Sequence, residues 1–119
     1  MNRRAYERVN INFRAKFFYG NTLYTGEITN LSENGIYIST RLCFPFESRF
    51  EILIPLDEGV LKVPVKVSRI IKTDDFYEGM GLELLEQSKN YLEFVRNLRS
   101  IASRNLEYPS IQGSVLDSL

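Results

Sequence analysis

The sequence predicts a mainly β protein, a six-stranded antiparallel β-barrel with one C-terminal α-helix. Three observations predict it. Apolar and polar residues alternate in short runs as far as Leu84, turn-forming residues separate those runs, and after Glu86 the alternation gives way to helical spacing. Closure into a barrel follows because an open sheet of six strands would leave two unpaired edges in water.

Each element has its own signal. From Asn10, Ile11, Phe13, Ala15, Phe17 and Tyr19 share one face while Asn12, Arg14 and Lys16 take the other, a half-buried strand. Gly20-Asn21 links it as a hairpin to a second strand starting at Thr22 and running to about Thr29, in which Gly26 marks an expected bulge. Ile36 to Ser39 is a short third strand, and Pro45 belongs outside any central ladder. Phe50, Ile52 and Ile54 define a fourth strand closed by Pro55, with Asp57-Glu58-Gly59 as the turn. Leu61, Val63, Val65 and Val67 define a fifth. Its phase then slips, since Ile70 and Ile71 fall on opposite parities, so a bulge is expected near Ser68-Arg69. Thr73-Asp74-Asp75 turns the chain into a sixth strand ending in Met80, Leu82 and Leu84. Ser88 can cap a helix over roughly 88 to 104, whose apolar face is Tyr91, Phe94, Val95, Leu98, Ile101 and Ala102. Lys89, Glu93, Arg96, Arg99 and Arg104 occupy its other faces. The chain thus divides into a flexible arginine arm (1–9), the barrel with its helix (10–104) and a mobile tail (105–119).

Composition narrows the chemistry. A chain of 119 residues makes one domain, and its 15 Lys and Arg are balanced by 15 Asp and Glu. It therefore lacks the broad basic footprint of a general nucleic-acid binder, and no DNA partner is expected. The balance is uneven, however: Arg3, Arg4, Arg8, Arg14 and Lys16 in the first 16 residues face only Glu7, which points to a local anion site. There is no histidine, which removes His-based acid–base and triad catalysis and most zinc sites, so no enzyme activity and no metal are expected. Cys43, the single cysteine, reads as a small apolar filler. No apolar run approaches the roughly 20 residues of a membrane span, and the charged start has no signal-peptide core, so a cytoplasmic protein without membrane insertion is expected.

Two short segments stand out against this background. Arg3-Arg4-Ala5-Tyr6-Glu7-Arg8 holds three guanidinium groups, two of them spaced Arg-x-x-x-Arg (Arg4, Arg8). Asn30-Leu31-Ser32-Glu33-Asn34-Gly35 is Asn-x-Ser-x-x-Gly, lying between two predicted strands. In this order, one hairpin apart, they resemble the signature of the PilZ family of bacterial cyclic di-GMP receptors. Gly79-Met80-Gly81-Leu82-Glu83-Leu84 is likewise similar to that family's closing strand, and the likeness extends from Arg3 to about Arg104. The chemistry suits such a ligand, since guanidinium forks match phosphates and guanine edges while short polar side chains supply hydrogen bonds.

The resemblance implies a PilZ-like barrel that binds cyclic di-GMP as ligand and needs no cofactor. Its arm would fold over the ligand, with Arg4 and Arg8 as motif arginines and Asn30, Ser32 and Gly35 as the barrel's contribution. Asn30 stands where Asp is commoner, exchanging a charge for an NH2 donor. Gly35 is expected to take positive φ in a tight turn before Ile36. Arg3 supplies a third guanidinium, which suits cyclic di-GMP bound as an intercalated dimer. Ordering of the arm would then present a new surface to an effector protein.

Simpler readings stand beside this one. An isolated Arg-x-x-x-Arg is usually a solubilising basic terminus, and Asn30 and Ser32 are able to satisfy only their own loop backbone. Asp57/Glu58 and Asp74/Asp75 read as solvated turn residues rather than catalytic dyads. Phe13, Phe17, Tyr19, Phe44, Phe46 and Phe50 read as core rather than as a stacking platform, while Tyr6 lies on the arm. The rival functions are a nucleotide-independent adaptor of the same fold and a small barrel for single-stranded RNA.

Overall fold

The computed structural model describes residues 7–105; Arg3, Arg4, Tyr6 and the tail beyond Asn105 lie outside the described residues. Six strands, β1 (Val9–Tyr19), β2 (Thr22–Leu31), β3 (Gly35–Ser39), β4 (Arg49–Leu56), β5 (Gly59–Thr73) and β6 (Phe76–Leu84), precede one helix, α1 (Lys89–Asn105). All neighbours are antiparallel, and the order β1-β2-β3-β6-β5-β4 closes into a barrel. The closing β1–β4 seam is short, pairing Lys16, Phe17 and Phe18 with Leu53, Ile52 and Glu51. Further along β4 lies Pro55, which has no N–H to give.

The alternation read from the sequence is the alternation of burial. In β1, Val9, Ile11, Phe13, Ala15 and Phe17 are buried, and the residues between them are exposed. Val9, assigned by sequence to the arm, is a strand residue paired with Leu31. Ile52 and Ile54 in β4, and Val63, Val65 and Val67 in β5, complete the interior. Phe17, Tyr19, Tyr24, Phe44 and Phe50 pack together, with the Tyr19 and Phe44 rings stacked at 4.0 Å. Four residues back along β1, about 13 Å away, Phe13 meets Phe94 of α1 edge-on. There the helix buries Tyr91, Phe94, Val95, Leu98 and Ile101. Its N-cap is Ser88, whose Oγ accepts from the Tyr91 N–H at 3.1 Å. Phe46 departs from expectation: it is 61% exposed, because the chain turns at Phe46-Glu47 with Glu47 at φ 74°.

Two register shifts matter more than the rest. Ile28 pairs with Ile38 and Asn30 with Tyr37, so Thr29 is an extra residue in β2. Val67 pairs with Leu82 and Arg69 with Gly81, which places the second shift at Ser68 as the slipped phase in the sequence suggested. Gly26 is not a bulge. It pairs regularly with Ala15, and a Cβ there would lie 2.6 Å from Ile38 Cγ2, so the glycine makes room for the side chains packed over it.

Candidate functional site

The two bulges decide which side chains leave the barrel. Strict alternation from the buried Ile28 would turn Asn30 inward, and from the buried Val67 would turn Arg69 inward. One extra residue in each strand reverses the phase. Leu31 and Ile70 become the inward neighbours, and Asn30 and Arg69 project outward. Cross-strand pairing then aligns Asn30 (β2), Tyr37 (β3), Gly81 (β6) and Arg69 (β5) in a single row across four strands.

Gly81 makes that row a cleft. With no side chain in the middle, Arg69 packs across the strand, and a Cβ at Gly81 would stand 3.2 Å from the Arg69 Cβ. Gly79, next on the same face, lies under the Tyr37 hydroxyl. The resulting cleft, of about 440 Å³, is bounded by Arg8, Asn30, Ile36, Tyr37, Ser68 and Arg69 over a floor of Gly81 and Leu82. Arg8 enters from the chain just before β1 and donates from Nε to the Asn30 side-chain Oδ1. Ser68 Oγ donates to the Gly81 carbonyl at 3.2 Å. Burial, with Glu78 nearby, pushes the Tyr37 phenol up, so it stays a neutral hydroxyl. A second cleft of about 460 Å³ shares Tyr37 and continues to Arg41, Thr73, Phe76, Tyr77 and Glu78. Arg41 lies over the exposed Phe76 ring there, 5.1 Å from its centroid.

The Asn-x-Ser-x-x-Gly segment is held from three sides. The Ser32 N–H donates to the Gly35 carbonyl at 2.8 Å, and the Ser32 Oγ accepts from the Asn34 N–H at 3.2 Å. Ser32 is only 2% exposed, so its hydroxyl serves the turn. From α1, the Tyr91 hydroxyl donates to the Ser32 carbonyl at 2.6 Å, and burial pushes that phenol up. Just before α1, Gln87 Nε2 donates to the Glu33 carbonyl and to Asn34 Oδ1. The Arg99 fork reaches both Glu33 oxygens, at 3.1 and 2.6 Å, and holds the Glu33 carboxyl below its usual range.

The structure therefore brings Arg8, Asn30 and Gly35 together and keeps Ser32 behind them, while Arg3 and Arg4 lie outside the described residues. Gly35 does not adopt positive φ, which among the described glycines is found at Gly20 and Gly59. Its reason is space: a Cβ would sit 2.7 Å from the Leu82 carbonyl oxygen and 3.7 Å from Arg8 Nη1. Tyr37, Ser68 and Arg69 were not singled out as site residues from the sequence. The slipped phase near Ser68-Arg69 was the available signal, and it gives the bulge without giving its neighbours across the sheet. Among the described residues no cluster of acidic or cysteine side chains is arranged to hold a metal ion, and no helix is long and apolar enough to cross a membrane.

Comparison with known proteins agrees with this architecture. A family model, the PilZ domain, matches residues 2–99. No curated protein sequence matches the chain. Among solved structures, the Bacillus subtilis inhibitor of motility MotI/DgrA superposes with a TM-score of 0.71 at 18% identity, over 90% of this chain and 54% of that one. The PilZ domain of Escherichia coli YcgR, solved with cyclic di-GMP, gives 0.69 at 15% identity over 89% and 99%. The K. pneumoniae MrkH complex with cyclic di-GMP gives 0.69 at 10% identity over 90% and 57%. The chain thus spans about half the length of MotI and MrkH.

Proposed function

The chain belongs to the PilZ domain family, and from that premise we propose that it is a receptor for cyclic di-GMP that binds its ligand without transforming it. The observation that carries this reading is the cleft in which Arg8 and Arg69 border a glycine floor beside Asn30 and Tyr37. Two guanidinium forks on one cleft suit a planar dianion, since each can take a phosphate oxygen, pair with the O6/N7 edge of guanine or stack on a base. The cyclic di-GMP bound by YcgR and MrkH supports the choice of ligand.

In this reading Arg4 joins Arg8 from the arm, Asn30 hydrogen-bonds a guanine from the barrel, and Gly35 and Ser32 hold the turn that aims it. Ordering the arm costs about 1–2 kcal/mol per residue in backbone entropy, which the charge-assisted contacts must exceed. The ordered arm, the ligand and the neighbouring face that carries Phe76 and Tyr77 would then form the surface an effector protein reads. A cytoplasmic location fits a second-messenger receptor.

Titration calorimetry with cyclic di-GMP, run beside an unstructured RNA oligomer, tests the reading. Binding of the dinucleotide alone is expected. Arg8→Ala and Arg4→Ala should each weaken it tenfold or more, the scale of about 1.5–3 kcal/mol for a charged hydrogen bond. Unchanged affinity in both variants would remove the proposal. Binding of the RNA in preference would replace it with the single-strand reading.

A further inference from the structure

The side chain that joins the most separate parts of this site belongs to the helix. Arg99 lies on α1, distant in sequence from both motifs, yet its guanidinium meets each of them. Nε and Nη2 form a bidentate pair with the Glu33 carboxylate inside the Asn-x-Ser-x-x-Gly segment, and Nη2 also donates to the backbone carbonyl of Glu7. Glu7 directly precedes Arg8, whose Nε is bonded to Asn30 at the other end of the same segment. Arm, loop and helix are therefore tied at one guanidinium, and the segment is gripped at Glu33 by the helix and at Asn30 by the arm.

We propose that Arg99 is a positioning residue of the ligand site: it clamps the base of the arginine arm at Glu7 to the motif loop at Glu33 and so presents Arg8 to the cleft. This rests on the reading of the cleft as a cyclic di-GMP site, but the clamp itself is a property of the ligand-free chain.

The geometry requires arginine. One donor set must satisfy a carboxylate and a backbone carbonyl at once, which a planar fork with five N–H donors does and an ammonium on a flexible stem does poorly. The surroundings favour retention of the pair. Glu33 is 19% exposed and Arg99 31%, so water screens the contact less than at an open surface. Arg8 then belongs to the fixed part of the site.

Two measurements on the full chain separate this proposal from a merely structural ion pair. In the ligand-free protein, Arg99→Ala should accelerate amide exchange at Arg8 and Val9 by about tenfold, the scale of one charge-assisted hydrogen bond, while the Ile52 and Val63 amides keep their protection. Arg99→Lys should fall between the two. In titrations with cyclic di-GMP, Arg99→Ala should weaken binding about tenfold when Arg8 is present and less than about twofold in an Arg8→Ala background, because it acts through Arg8. Unchanged exchange at Arg8 and Val9 would overturn the clamp, as would equal losses in the two backgrounds. Absence of binding by the unmodified protein would instead dismiss the ligand, and the exchange measurement would still decide the clamp.

Discussion

A methyl group added at Gly35 would lie 2.7 Å from the Leu82 carbonyl oxygen, whereas one added at Gly81 would lie 3.2 Å from the Arg69 Cβ. The first collision is with backbone in a hydrogen-bonded ladder, which has little freedom to retreat. The second is milder and is relieved by a shift of a few tenths of an ångström at Arg69. Two glycines of one site therefore have different duties, and alanine should separate them. Gly35→Ala is expected to destabilise the fold by about 1–3 kcal/mol, the cost of overpacking a well-filled position. Gly81→Ala should leave the melting temperature nearly unchanged and weaken cyclic di-GMP binding by roughly three- to tenfold through a small displacement of Arg69, on the scale of an ordinary hydrogen bond. Thermal unfolding and titration of the two variants check the assignment, and the opposite ranking would refute it.

Elements position what residues supply. The β2 and β5 bulges turn Asn30 and Arg69 out of a barrel whose alternation would otherwise bury them, and α1 fixes the loop between β2 and β3. That loop carries a pH dependence. Because the Arg99 fork lowers the Glu33 pKa in the folded protein, this pair contributes its full stability above the unfolded value near 4.3 and loses it as pH falls through the lower folded value. Glu33→Gln should therefore be less stable than the parent at pH 6, and the gap should close as urea midpoints are followed from pH 5 towards pH 3. A constant gap would show that the pair contributes nothing through ionisation. The alternations of β1, β4 and β5, the Ser88 cap and the Ser68-Arg69 slip were legible in the sequence because each is a local pattern. The roles of Gly26 and Gly35 were not, since each is defined by a strand paired beside it, Ile38 for one and Leu82 for the other. Tyr37 and Arg69 join Asn30 only through register, and Arg99 joins Glu33 only when α1 folds back on the barrel. No local period records either. For the same reason Phe46, apolar beside a proline, read as core and proved to be turn.

At the scale of the molecule, a neutral chain carries five of its 15 Lys and Arg, against the single acid Glu7, in its first 16 residues, so attraction for a dianion is local and adds little at long range. Arg3 bears on how much anion is taken. With three guanidiniums on the arm, two cyclic di-GMP molecules per chain are expected, and Arg3→Leu should lower the ratio to one while binding persists; calorimetric stoichiometry reads this directly. One molecule per chain in the unmodified protein would exclude the dimer and leave the receptor reading intact. The barrel's closure divides its labour in a further way. The row that floors the cleft runs through β2, β3, β6 and β5, whereas β1 meets β4 over three paired residues, Lys16 to Phe18, before Pro55 ends what can be donated. Local opening begins where the fewest bonds must break, so the β1–β4 line is where this barrel parts first. The strand on one side of that line is β1, which Arg8 directly precedes. Arg8, bonded to Asn30 and next to Val9, which pairs with Leu31, stays with the β2 side of the cleft when that line opens, so the recognising row and its arginine move as one piece.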